Sequence, residues 1–96
     1  MVVNAIVLIK VERGKVNDVA QHIVNLDGVS EVFSVAGRYD LVAVLRAHSN
    51  EHVADIVTKA VQGQSGIQDT ETLLAFKAYA KEDLEAAFSI GNEERA

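Results

Sequence analysis

A chain of 96 residues is sized for one domain, and its formal charge of −5 comes without any clustered basic face of the kind a phosphate backbone requires. Cysteine is absent, which excludes disulfides and thiolate chemistry, and aromatics make up only 5% of residues, too few for a base-stacking platform. No apolar run approaches the length of a bilayer span, and the first residues are not a basic region followed by an apolar leader, so a soluble cytoplasmic protein without direct nucleic-acid or membrane contact is expected.

Residues 2–11 read as a first strand, apolar except for Asn4 and Lys10, and the run stops at Glu12-Arg13-Gly14. From Lys15 the period changes. Val16, Val19, Ala20, Ile23, Val24 and Leu26 recur at three and four with Asn17, Asp18, Gln21 and Asn25 between them, an amphipathic helix that Gly28 is placed to end in the left-handed conformation. Residues 29–36 and 39–47 read as the second and third strands, and the two-residue link Gly37-Arg38 predicts an antiparallel hairpin. Ser49 or Asn50 suits the cap of a second helix, with Glu51 in its first turn and Val53, Ile56, Val57, Ala60 and Val61 as its buried stripe. Gly63 and Gly66 close that helix. Residues 67–80 are expected as a fourth strand. A short helix over residues 81–90 would bury Leu84, Ala87 and Phe88, and residues 92–96 complete an acidic tail.

The order β-α-β-β-α-β places residues 1–80 in an α+β class, as a ferredoxin-like sandwich with an antiparallel sheet, to which residues 81–96 add a C-terminal helix and tail. The halves echo one another, since Gly28-Val29 before the second strand matches Gly66-Ile67 before the fourth. The strands do not alternate apolar with polar: Ile6 to Ile9 and Leu41 to Leu45 are unbroken apolar runs, so both sheet faces call for burial. Two helices cover one face. A second copy is the economical cover for the other, which predicts a homodimer packed sheet to sheet as a dimeric α/β barrel.

Catalytic sets are hard to assemble from these residues. His22, His48 and His52 have no common focus, and although His48 and His52 have the spacing of helical metal ligands, no third ligand joins them. No serine lies in a nucleophile motif, and no glycine-rich phosphate loop occurs. Neither catalytic nor metal-ligating residues are assigned, and no cofactor is expected. The stretch "VAGRYD" is different: Gly37 permits positive φ and a close backbone approach, its neighbouring amides suit a carboxylate, and Asp40 suits an ammonium group. The plainer alternative is that Gly37-Arg38 only turns the hairpin and Asp40 satisfies its own backbone. In "QDTETLLAF", Thr70 and Thr72 point to one side of a strand and Asp69 and Glu71 to the other, so strand-end hydroxyls are available to complete a small polar pocket.

The segments "GVSEVFSVAGRYDLVAVL" and "GIQDTETLLAFK" resemble the effector-binding, or RAM, domain of the Lrp/AsnC transcription regulators. The resemblance spans residues 2–79, and its most specific elements are Val35, Gly37, Tyr39 and Asp40, supported by Gly66, Ile67, Thr70 and Thr72. It implies the same ferredoxin-like fold, sheet-packed dimers assembled into octameric or related rings, and an amino acid or related small metabolite bound between dimers. On that basis the ligand-binding set comprises Val35, Ala36, Gly37, Arg38, Tyr39, Asp40, Asp69, Thr70 and Thr72. Typical relatives place a helix-turn-helix domain before this one, whereas the first strand here begins at Val2, so a stand-alone module that acts through a full-length relative is expected. Two other readings stay open: a small dimeric α/β-barrel enzyme with His48 as acid or base in an internal cavity, and a purely structural assembly domain.

Overall fold

Two strands that are apolar along their length take the centre of a single antiparallel sheet. The computed structural model describes residues 2–79 and residue 81, in the order β1 (Val3–Val11), α1 (Val16–Val24), β2 (Val29–Ser34), β3 (Leu41–Ala47), α2 (Asn50–Val61) and β4 (Ile67–Leu74). The sheet order is β2-β3-β1-β4, with every neighbouring pair antiparallel. This is the expected ferredoxin-like α+β architecture. Apart from Lys81, the expected terminal helix with Leu84, Ala87 and Phe88, and the tail after it, lie outside the described residues.

Ala5, Val7, Ile9 and Val11 of β1 and Leu41, Ala43, Leu45 and Ala47 of β3 point to one face, where they are buried under Val19 and Ile23 of α1 and Val53, Ile56 and Ala60 of α2. Each fully covered Leu or Ile there contributes about 1.5–3 kcal/mol relative to exposure. The other face carries the alternate residues. Ile6, Leu8, Val42 and Val44 run down its middle, joined by Phe33 from β2 and Leu73 from β4, and no described element covers them.

Strand pairing repeats between the halves. Val29 pairs with Leu45 and Glu31 with Val44, so Ser30 is the extra residue of a bulge; Ile67 pairs with Val11 and Asp69 with Lys10, so Gln68 is its counterpart. Each bulge follows a glycine with positive φ, +94° at Gly28 and +105° at Gly66. The Gly28 carbonyl accepts from the Arg46 amide at 2.8 Å and the Gly66 carbonyl from the Glu12 amide at 2.7 Å. At the opposite end of β1 and β4, the Ala75 amide donates to the Asn4 carbonyl at 2.9 Å.

Boundaries differ from the sequence reading in three places. Helix α1 ends at Val24 and Gly28 turns the chain three residues beyond its Asn25 cap, because Leu26 and Val29 close successive tight turns onto Ile23 and Leu26. The hairpin between β2 and β3 is wider than the two-residue link: the Val35 amide donates to the Asp40 carbonyl at 3.0 Å and residues 36–39 form the loop. Strand β4 ends at Leu74, where its partner β1 runs out, rather than at residue 80. Of the two candidate caps for α2, Ser49 is the one used: its Oγ accepts from the His52 amide at 3.0 Å.

A Cβ added at Gly28 would lie 2.5 Å from Ile56 Cδ1, whereas at Gly14, also at positive φ, it would meet nothing within 4 Å. Gly28→Ala is expected to cost more than the roughly 1–2 kcal/mol of the left-handed conformation alone, and Gly14→Ala about that amount. Urea denaturation of both variants checks the order.

Candidate functional site

The wide hairpin brings three segments together at one end of the open face. Lys10 and Asp69 are direct partners across β1 and β4, and the loop of residues 36–39 reaches over them from the far side of β3. Lys10, Arg38, Tyr39 and Asp69 line a solvent-open depression of about 290 Å³. That is near the small end of the range for ligand pockets and suited to a molecule of amino-acid size.

Two side-chain bonds set the loop. Lys10 Nζ donates to the Arg38 carbonyl at 3.2 Å, and the Tyr39 hydroxyl donates to Glu71 Oε1 at 2.7 Å. The bond to Glu71, which favours the neutral phenol, is the first cause holding the Tyr39 pKa above the ordinary tyrosine value; desolvation and the negative charges of Glu71 and Asp69 act the same way, against Arg38. Gly37 has φ +143° and open space where a Cβ would stand, so its backbone is approachable. Asp69 Oδ1 accepts from the Thr70 amide at 2.9 Å.

Asp40 is differently employed. Its Oδ2 accepts from the Val11 amide at 2.8 Å, a partly buried bond between positions 29 residues apart, while its own amide donates to the Ile9 carbonyl at 2.9 Å. One carboxylate oxygen is thus committed to fastening the hairpin to β1, so Asp40 serves the backbone of a distant strand and not its own turn. Val35, just before the loop, and Ala36, its first residue, are exposed and do not line the depression.

Thr70 and Thr72 do not share a pocket with the loop inside one subunit. Their partners Ile9 and Val7 belong to the helix-covered face, so the two threonines lie on the opposite side of the sheet from Asp69 and Glu71. Thr72 instead lines a groove of about 450 Å³ between α2 and the edge strand, with Val53, Val57 and Leu74 among its walls. Lys10 and Glu71 are site residues that the sequence reading passed over; strand alternation already placed Glu71 beside Asp69, but nothing local shows which side the loop covers.

The histidines serve the helices. His52 Nδ1 accepts from the His48 amide at 2.9 Å, the two rings stack at 5.0 Å, and His22 Nε2 lies 3.2 Å from the Lys59 carbonyl. No group of three or more metal-ligating side chains occurs among the described residues, and no helix among them is long and apolar enough to cross a membrane. Between sheet and helices the space is about 10 Å³ and lined only by apolar residues such as Val7, Ile23 and Ile56.

Residues 4–84 match the family model described as the Lrp/AsnC ligand binding domain. FL11, an HTH-type transcriptional regulator of Pyrococcus furiosus, is 32% identical over 75 residues, 78% of this chain and 49% of that protein. The chain therefore spans about half the length of the curated relatives it matches. The crystal structure of TTHA0845 from Thermus thermophilus superposes with a TM-score of 0.76 at 42% identity, over 82% of this chain and 99% of that one. Transcriptional regulator NMB0573 of Neisseria meningitidis, solved as a complex with L-Met, shares the fold at a TM-score of 0.70 and 14% identity, over 81% of this chain and 52% of that one.

Asp40→Ala leaves the Val11 amide without its acceptor and is expected to cost about 1–3 kcal/mol in chemical denaturation, with Asp40→Asn, which keeps an acceptor oxygen, costing less. The raised Tyr39 pKa means that the bond to Glu71 stabilises fully below about pH 10 and is lost as pH rises through the folded-state value. In a Tyr79→Phe background, phenolate absorbance should titrate at higher pH in the parent than in Glu71→Gln.

Proposed function

The chain belongs to the Lrp/AsnC ligand-binding domain family, and from that premise we propose that it is an effector-binding module whose state of assembly responds to an amino acid or a related small metabolite. The observation that carries this reading is the amino-acid-sized depression under the Gly37 loop, where cationic and anionic side chains stand together. An amino acid presents the complementary pair. Gly37 and its neighbouring amides offer further donors to a carboxylate, Tyr39 shapes the wall, and Asp69, which lines the depression, takes the ammonium group more readily than Asp40, which does not line it and fastens the hairpin to Val11.

Assembly enters through the uncovered face. Ile6, Leu8, Val42, Val44, Phe33 and Leu73 make a contiguous apolar surface on the side away from the helices, and a second copy packed on it through a two-fold axis removes it from water. The depression lies at the rim of that face, where neighbouring copies meet, and Thr70 and Thr72, turned to the other side, join the site only from an adjoining dimer. A ligand held between dimers favours the ring over its parts by mass action, so that binding and assembly are one equilibrium. In the cytoplasm such a module regulates transcription by joining a full-length relative rather than by touching DNA itself.

The enzymatic alternative requires a cavity with His48 in its wall. The enclosed space under the centre of the sheet is far too small for a substrate, the open groove beside α2 does not include His48 in its lining, and His48 is exposed and stacked on His52.

Size-exclusion chromatography with light scattering is the direct test. The mass is expected to rise on adding one or a few amino acids at millimolar concentration, and Val44→Lys, which sets a charge in the middle of the open face, is expected to reduce the particle to a monomer. A mass that ignores every amino acid would favour a purely structural assembly domain. A variant that still dimerises would remove the sheet face as the contact.

A further inference from the structure

We propose that the depression under the Gly37 loop selects acidic amino acids, and that Arg38 is the residue that separates them from neutral ones. This rests on the effector-binding reading and adds the class of effector. The charged side chains lining the depression are two cations, Lys10 and Arg38, and one carboxylate, Asp69. An acidic amino acid carries the inverse set, two carboxylates and one ammonium group.

The partners already made at the site sharpen the match. Asp69 Oδ1 accepts from the Thr70 amide, and Glu71, beside the depression but outside its lining, has its Oε1 engaged by the Tyr39 hydroxyl. Neither cation has an anion among the described residues. Lys10 Nζ reaches only the neutral Arg38 carbonyl, and the Arg38 guanidinium makes no hydrogen bond or ion pair among the described residues, whose one salt bridge joins Lys59 to Asp55 on α2. What this pocket lacks is therefore negative charge in two places. The planar fork of Arg38 suits a carboxylate taken through two parallel bonds, while Lys10 answers the second carboxylate as a point charge. The ammonium group goes to Asp69 Oδ2. A neutral amino acid leaves one cation unanswered, and a basic one sets a like charge against it.

The depression is open to water, so the discrimination is that of a charge-assisted hydrogen bond at a solvated site, on the order of tenfold in Kd. Calorimetry on the full chain with L-glutamate, L-aspartate, L-glutamine, L-leucine, L-lysine and succinate provides the test. Glutamate or aspartate is expected to bind about tenfold more tightly than glutamine, with lysine weakest. Arg38→Gln should erase the preference by weakening glutamate and aspartate more than glutamine, and Arg38→Lys, which keeps the charge and loses the fork, should retain part of it. Arg38 is exposed, so both variants are expected to keep the parent's melting temperature. Leucine or glutamine binding as tightly as glutamate would overturn the selection and leave the effector reading standing. Succinate equal to glutamate would remove Asp69 as the ammonium partner and with it the amino-acid class. Binding by none of them, nor by any other amino acid, would bring down the effector reading itself.

Discussion

Central strands with two apolar faces, and described helices that cover only one of them, impose the main constraint on this molecule. β1 and β3 are adjacent in the sheet and paired over most of their length, so their inward residues supply the sheet's side of the core while Ile6, Leu8, Val42 and Val44 are left in a row outside it. A one-sided sheet would place polar residues at those four positions. The stability of the core and the apolar surface left on the other face thus have the same origin, in strands whose composition does not distinguish inside from outside.

The candidate site is a by-product of how that sheet ends. Regular pairing between β1 and β3 stops at Ile9 and Leu41, one residue before the bulge that shifts β1 against β4. Beyond that point the Val11 amide has no strand partner, and the Asp40 carboxylate supplies one. Fixing Asp40 there widens the hairpin and sends residues 36–39 over Lys10, where Tyr39 comes to rest on Glu71. An unsatisfied backbone group at the end of a ladder is in this sense what positions the loop.

Much of this was legible in the sequence. Element order, the apolar stripes of α1 and α2, the Ser49 cap and the paired glycines before β2 and β4 all follow from local periodicity and from residues with special backbone freedom. The loop was not, because its width depends on a bond between Asp40 and Val11 that no local pattern announces. Strand alternation separated Asp69 and Glu71 from Thr70 and Thr72 correctly, yet grouping the threonines with Tyr39 in one pocket required knowing which side of the edge strand the hairpin crosses. Lys10 looked like an incidental polar residue in an apolar run; its role depends on cross-strand pairing with Asp69.

The bond between the Ala75 amide and the Asn4 carbonyl fixes where the chain enters and leaves the sheet. Both crossings lie side by side at one end of the β1–β4 pair, and the depression lies at the other, six residues along each strand or roughly 20 Å away. A polypeptide tethered to either crossing therefore hangs from the pole remote from the site. No described loop of this subunit bridges the two, so inside one subunit only the paired strands β1 and β4 connect them. A segment attached at that pole can therefore differ in size or composition without touching the groups that line the depression.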